Sequence, residues 1–173
     1  EARQKFVGYQ TAFIGLAGVI FMSLGGWLAM HHWRVPFLIY LFSVLLIPLS
    51  FFFLEETKLN PVLSKDVLAS SKLLKILFLI GTLFMILFYL MPTQLPFLLK
   101  SIGINDPSYS GNALAINALG IVCSSLLYSK IKQRISFLIV AWFSLLMMGT
   151  GYFLTGTSET FEAILANVFL AGL

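Results

Sequence analysis

The residues of this chain that could do chemistry are a few polar side chains set inside long apolar segments. One set shares a helical face in the run from Pro107 to Ser129: Ala113, Asn117, Gly120, Ser124 and Tyr128. An amide in hydrocarbon costs several kcal/mol without a hydrogen-bond partner, so Asn117 needs a substrate, a water molecule or another helix beside it. Bonding to another helix is the commoner case. Asn117 and Ser124 are our first candidates for lining a substrate cavity.

A second set lies near the end of the apolar run from Ile76 to Leu99. Three of its polar side chains are candidates for contacts at the mouth of a cavity: Tyr89, Thr93 and Gln94. The alternative for Gln94 is an interfacial side chain close to water. Pro92 and Pro96 should disturb this helix and free backbone carbonyls, which lipid tolerates where a neighbour or a water-filled cavity supplies donors. We treat these prolines as candidate packing or gating positions.

Catalytic and metal-binding patterns are weak in this sequence. His31 and His32 adjoin each other at a span boundary, and no third ligand follows at metal-binding spacing. Cys123 is the single cysteine, which excludes an intrachain disulfide and a cysteine-cluster metal site. A membrane-embedded enzyme would need a nucleophile with an acid–base pair, and the chain offers isolated Ser, Tyr and Asn side chains. We expect no enzyme activity, no cofactor and no metal.

Composition places these residues in a membrane protein. The chain is 59% hydrophobic and 10% charged, whereas about a quarter of the residues in an ordinary soluble domain are charged. Lipid contact removes the need for a charged surface. The net charge of +4 could suggest nucleic acid, but the basic residues stand at the ends of apolar runs, as membrane topology requires. The lipid bilayer is the expected partner, and nucleic acid is not.

Uncharged intervals define the elements that must position the polar residues. A membrane-spanning helix needs about 20 residues with few or no charges. Continuous apolar runs of this length exclude the alternating strands of a barrel. The fold class is therefore an all-α bundle of transmembrane helices. The predicted spans are Phe6–Trp33, Val35–Leu54, Ile76–Leu99, Pro107–Ser129 and Ile135–Ser158, with Ala163–Leu173 opening a further one.

The basic residues predict an orientation. Successive spans alternate sides, so connections fall into two groups, one with nine Lys and Arg residues and the other with Arg34 and Lys100 alone. The positive-inside rule places the richer group in the cytoplasm. That group contains the linker 55–75 and the basic turn formed by Lys130, Lys132 and Arg134.

Small residues recur at steps of three and four along the first span: Thr11, Gly15, Gly18, Met22, Gly25 and Ala29. Gly26 adjoins this set. Such a stripe lets two helices approach closely. One interpretation is static packing, which is common in membrane bundles. The other is a helix that slides or rocks against its neighbour, which would make Gly15, Gly18, Gly25 and Gly26 gating positions.

Several motifs, taken in order, resemble the major facilitator superfamily of secondary transporters. The run Glu1-Ala-Arg-Gln-Lys5 before Gly8 is similar to the basic turn that leads into the family's fifth helix. Leu24-Gly25-Gly26-Trp27-Leu28 and Trp33-Arg34-Val35-Pro36-Phe37 resemble the end of helix five and the start of helix six. Phe53-Leu54-Glu55-Glu56-Thr57 is similar to the Pro-Glu-Thr signature that closes the first half.

The resemblance implies two six-helix halves that rock around a central cavity. It places the chain at helices five to ten: 1–54 ends the N-terminal half, 55–75 is the central linker, and 76–173 starts the C-terminal half. Drug–proton antiporters of the family often carry a Gly-Pro before the glycine pair, and Phe21-Met22-Ser23-Leu24 stands there instead. The basic turn keeps the family's positive charge without its Asp and glycines.

We expect a secondary active transporter that moves a small organic molecule by alternating access. Its expected form is proton-coupled efflux of a drug or metabolite across the bacterial inner membrane, which would make it an antiporter. Proton coupling normally uses an intramembrane carboxylate, and none lies in these spans. The chain starts without Met and stops inside an apolar run, so we expect this acid on helices beyond it. The alternative functions are a non-transporting bundle that senses or scaffolds and, after it, a membrane-embedded enzyme.

Overall fold

The computed structural model describes residues 2–53, 71–131 and 135–173, and these contain helices and no strand. The helices are α1 (Ala2–Ala29), α2 (Phe42–Phe53), α3 (Ser71–Ser101), α4 (Pro107–Ile131), α5 (Phe137–Gly156) and α6 (Phe161–Gly172). A 3₁₀ segment, Val35–Leu41, leads directly into α2. Five described segments are long and apolar enough to cross a membrane, and their ends agree with the predicted spans within about one helical turn. The prediction of an all-α transmembrane bundle is confirmed.

Local sequence signals explain several helix ends. Pro107 begins α4, where a missing N–H costs nothing, and the Asp106 carboxylate accepts the Ser108 N–H at 2.8 Å. At the end of α3, Ile104 N–H donates to the Leu99 carbonyl at 2.9 Å and Gly103 N–H donates to the Lys100 carbonyl at 3.1 Å. This is a Schellman motif, and it requires the positive φ of 88° that Gly103 adopts.

α3 continues through both of its internal prolines, so Pro92 and Pro96 do not end the helix. Pro92 has no N–H, which leaves the carbonyl of Phe88, four residues earlier, without its helical donor. The Tyr152 hydroxyl of α5 lies 3.5 Å from that oxygen and donates to it across the helix pair. A neighbouring helix therefore compensates for part of the disturbance that the proline causes.

α1 and α4 form the most extensive helix pair among the described residues. They run antiparallel, because Gly8 lies beside Ser125 while Gly26 lies beside Pro107 and Gly111. The α4 face of this pair carries small residues at helical spacing: Gly111, Ala115, Ala118, Val122 and Ser125. Small side chains on both helices allow the backbones to meet, as in other membrane helix pairs.

The buried core lies at one end of the bundle. Met91, Leu95 and Leu99 of α3 pack against Ala113 of α4 and against two residues of α6, Ile164 and Val168. α4 and α6 are parallel, so their N-termini share this end with the C-terminus of α3. By contrast, α3 is largely exposed from Leu74 to Tyr89, and no residue of α2 is buried. Exposed apolar faces are what contact with lipid requires.

The predicted linker 55–75 falls mostly outside the described residues, which resume at Ser71. Its last residues, Ser71 to Lys75, form the first turn of α3.

Candidate functional site

A cavity of about 710 Å³ lies among α3, α4, α5 and α6. We call it the four-helix cavity. Its volume falls in the range of small-molecule sites, which is about 300–1,000 Å³. Its walls are mainly apolar, with side chains such as Phe84 and Leu87 of α3 and Met148 of α5. A few polar groups face this apolar space: Asn117 and Ser124 of α4, and Ser144 and Tyr152 of α5.

Asn117 has a protein partner within the bundle. Its Nδ2 donates to the carbonyl oxygen of Val168 on α6 at 2.7 Å. Helix–helix bonding, the commoner alternative for a membrane amide, is therefore what the structure places at this residue. Asn117 is half-buried and lines the four-helix cavity at the same time. A ligand in that cavity would meet an amide that is already oriented by α6.

Two glycines allow α6 to come close enough for this bond. A Cβ atom on Gly120 would lie 2.6 Å from the Phe169 carbonyl oxygen, and one on Gly172 would collide with the Asn117 carbonyl oxygen. Ser124, one turn beyond Gly120, has its Oγ 3.1 Å from the Ile121 carbonyl oxygen and 3.4 Å from that of Gly172. The α4–α6 crossing thus positions both of the α4 residues that the sequence proposed for the cavity.

Tyr152 is a cavity residue that sequence reasoning did not select. Its hydroxyl reaches the Phe88 carbonyl at 3.5 Å, and both residues line the four-helix cavity. Part of this contact could be predicted from sequence, because Pro92 leaves the carbonyl four residues earlier without its helical donor. Which helix would supply the donor depends on tertiary packing, which a single sequence does not reveal.

The other predicted cavity residues lie on α3 outside the lining of this cavity. Tyr89 is 60% exposed, and Gln94 is exposed as well. The Thr93 hydroxyl is occupied locally, at 2.8 Å from the Tyr89 carbonyl oxygen and 3.0 Å from that of Leu90. Pro92 is half-buried and Pro96 is exposed. The structure therefore places Asn117 and Ser124 in the lining of one cavity. The three α3 residues lie outside that lining, and the roles given to all five residues stay predictions.

The glycines of α1 differ sharply in their surroundings. A Cβ atom added to Gly15 would lie 2.6 Å from Val122 Cγ2, and one added to Gly26 would lie 2.9 Å from Gly111 Cα, so both positions are tightly packed. A Cβ atom added to Gly18 would lie 3.5 Å from Ala118 Cβ, which is an ordinary contact. Gly25 has open space where its Cβ would be. Gly111 of α4 is the partner of Gly26 that sequence reasoning missed. Its spacing from Ala115 and Ala118 was visible in the sequence as a second row of small residues at helical spacing.

The family model of the Major Facilitator Superfamily matches residues 1–173, the whole of this chain. The chain belongs to the Major Facilitator Superfamily. Comparison with curated proteins and with solved structures gives no match. Membership of the Major Facilitator Superfamily, together with the apolar helices, makes this an integral membrane protein of a transporter family.

In this Major Facilitator Superfamily member, the charged side chains that the structure describes lie at or near helix ends. Lys130 is exposed in the last turn of α4, while Lys132 and Arg134 lie outside the described residues. Asp106, Glu159 and Glu162 stand at or just before the N-termini of α4 and α6, at the opposite end of the bundle. Within residues 2–53, 71–131 and 135–173, no three His, Cys, Asp or Glu side chains converge as metal ligands would.

Proposed function

We propose that the chain forms helices five to ten of a secondary active transporter that moves a small organic molecule by alternating access. The single observation that carries this proposal is the four-helix cavity, an apolar space with a few oriented polar groups inside a transporter-family bundle. Sites for small molecules have this composition, because apolar walls supply affinity and a few polar groups supply orientation. Asn117, Ser124 and Tyr152 are the groups assigned to the substrate.

The division into halves belongs to the same proposal. Residues 1–54 close the N-terminal half, 55–75 link the halves, and 76–173 start the C-terminal half. On this division α1 and α4 belong to different halves, so the glycine contacts between them form part of the surface on which the halves rock. Gly15, Gly18 and Gly26 are then gating as well as packing residues.

The coupling ion in this proposal is the proton, and the direction is efflux of a drug or metabolite, which makes the protein an antiporter. An apolar cavity with few hydrogen-bonding groups suits hydrophobic organic substrates better than sugars, which carry many hydroxyl groups. Among the described residues the acidic side chains stand at helix ends, so the proton-carrying carboxylate is assigned to another part of the protein.

The location proposed is the bacterial inner membrane, with the linker 55–75 and the basic turn at 130–134 in the cytoplasm. The excess of Lys and Arg on that side supports this orientation. Cysteine accessibility tests it directly. In a Cys123→Ala background, which removes the exposed native thiol, a cysteine in place of Lys65 should react with a membrane-impermeant maleimide only after the cells are opened, whereas one in place of His32 should react in intact cells.

Transport by the intact protein tests the function itself. Everted membrane vesicles that contain the protein should accumulate a hydrophobic fluorescent dye when a proton gradient is present, and a protonophore should abolish the accumulation. Asn117→Leu should lower the initial rate at least tenfold while membrane insertion is retained. Asn112→Leu is the matched control, because Asn112 is exposed on the same helix. Unchanged kinetics for Asn117→Leu would remove this residue from the site.

A further inference from the structure

A second cavity, of about 770 Å³, lies between α4 and α5 and reaches α1. We call it the α4–α5 groove. It is partly open, and much of its wall consists of large apolar side chains such as Leu127, Ile131, Ile139 and Phe143. Ile139 and Phe143 are 60% and 61% exposed, so no other described residue covers this part of the apolar wall.

Three hydroxyl groups that line the α4–α5 groove donate to carbonyls of their own helices. Thr11 donates to the Val7 carbonyl at 3.0 Å, Ser125 to the Val122 carbonyl at 2.9 Å and Ser144 to the Val140 carbonyl at 3.0 Å. No buried side-chain N or O atom among the described residues is without a hydrogen-bond partner. These three hydroxyl protons are therefore not free for a polar ligand, and most of the remaining described wall is apolar, so the occupant that fits it best is a hydrocarbon.

The dimensions of the groove match one leaflet of a bilayer. On α4 it extends from Ile121 to Ile131, which corresponds to about 15 Å at 1.5 Å per residue. The hydrocarbon of a single leaflet is about half of the 30 Å core, or about 15 Å. An acyl chain that enters at the Ile131 end can therefore lie along the groove over the depth of its own leaflet.

The charge at the mouth of the groove favours an anionic headgroup. Lys130 is exposed and adjoins Ile131, a lining residue of the groove. The described acidic residues stand at the other end of α4 and α6, so within the described part of the chain no carboxylate competes for Lys130. A basic side chain beside an anionic membrane surface contributes about 1 kcal/mol of attraction.

We propose that the α4–α5 groove binds a phospholipid of the adjoining leaflet, with one acyl chain along α4 and α5 and an anionic headgroup beside Lys130. This lipid is a resident component of the bundle and is not the transported molecule. The groove shares Ile121, Ser124 and Ser144 with the four-helix cavity, so the acyl chain forms a wall of that cavity as well. The proposal stands whether or not the transport function is the one given above.

The test is lipid retention by the intact protein, purified in mild detergent and measured by native mass spectrometry. Long-chain phosphatidylglycerol should be retained about fivefold more than phosphatidylcholine with the same chains, the ratio expected for one basic contact. Phosphatidylglycerol with short chains should not be retained, because it cannot fill the groove. Equal retention of the two headgroups, or retention of the short-chain lipid, would overturn the proposal.

Paired variants locate the lipid. Ile139→Trp fills the groove and should reduce retention of long-chain phosphatidylglycerol at least fivefold, whereas Leu138→Trp, next to it and outside the lining, should not. Lys130→Gln should remove the preference for phosphatidylglycerol over phosphatidylcholine. Lys75 is an exposed lysine on α3, and Lys75→Gln should keep that preference. Full retention by Ile139→Trp would place the lipid elsewhere and overturn the assignment. If that variant does not fold, the comparison of lipids on the wild-type protein decides.

Discussion

Gly26 of α1 and Gly111 of α4 meet backbone to backbone: a Cβ atom on Gly26 would lie 2.9 Å from the Gly111 Cα and 3.1 Å from the Pro107 carbonyl oxygen. Any larger residue must push the two helices apart. We therefore expect Gly26→Ala to lower the free energy of unfolding by about 1–3 kcal/mol, the cost of overpacking a well-packed contact. Unfolding of the purified wild-type and variant proteins in detergent measures this difference in the free energy of unfolding.

Gly25→Ala is the matched control for that change, since Gly25 precedes Gly26 in the same helix and has open space at its Cβ position. Removing a glycine from a helix interior normally stabilises it by roughly 0.5–1 kcal/mol. Gly26→Ala should therefore lower the free energy of unfolding, whereas Gly25→Ala should raise it. Equal changes in the free energy of unfolding would show that the close backbone contact between α1 and α4 does not determine the cost of a larger residue.

A cross-link tests whether the α1–α4 pair moves during transport. A Cβ on Gly18 would lie 3.5 Å from Ala118 Cβ, at the short end of the Cβ–Cβ range of about 3.5–4.5 Å found in disulfides. In a Cys123→Ala background, Gly18→Cys with Ala118→Cys should cross-link on oxidation and lose transport, and a reductant should restore it. Gly25→Cys with Ala118→Cys should not cross-link. Transport at the normal rate by the oxidised pair would contradict rocking on this surface.

The turn after α3 should be sensitive to its glycine. Gly103 has a φ of 88°, a conformation that costs a residue with a Cβ about 1–2 kcal/mol. Gly103→Ala should lower stability by that amount and loosen the nearby cluster of Leu99 and Ile104. Gly81→Ala, in the exposed part of α3 with open space at its Cβ, should leave stability unchanged or raise it. A neutral Gly103→Ala would indicate that the turn relaxes without cost.

The hydroxyl of Tyr152 should stabilise α3 against α5. Tyr152→Phe leaves the Phe88 carbonyl without either a helical or a side-chain donor, and should lower stability by about 1 kcal/mol. Tyr89→Phe is a suitable control, because Tyr89 is 60% exposed on α3. The 3.5 Å separation is long for a hydrogen bond. No loss of stability in Tyr152→Phe would show that this hydroxyl does not hold α3 against α5.

The helices of this protein could be predicted from sequence because lipid leaves the chain few choices. Every apolar run long enough to span must satisfy its backbone within itself, so the absence of charge from Phe6 to Trp33 predicted a helix there. The helix α1 begins one turn earlier, at Ala2, and ends one turn earlier, at Ala29. Pro92 and Pro96 were expected to disturb α3, and it continues through both. At Pro92 the cost of the proline is reduced because a neighbouring helix supplies a donor, the Tyr152 hydroxyl, to the freed Phe88 carbonyl.

Partners were less predictable than helices. Asn117 was recognised as a residue in need of a hydrogen bond, but its partner is a backbone carbonyl of Val168, which carries no sequence signal. The same limit applies to α1, where a row of small residues was visible but the row on α4 that meets it was not assigned. A pairing depends on two surfaces at once, whereas periodicity describes one helix at a time.

The antiparallel pairing of α1 and α4 also affects how the protein is made. Gly18 and Ala118, which face each other in the finished bundle, are 100 positions apart in the chain. At a synthesis rate of about 5–20 residues per second, α1 enters the membrane roughly 5–20 seconds before α4 does. During that interval its glycine face lacks the α4 surface against which it packs in the finished bundle. The α1–α4 contact thus cannot form until α4 has been made, and α1 must remain in the membrane without it until then.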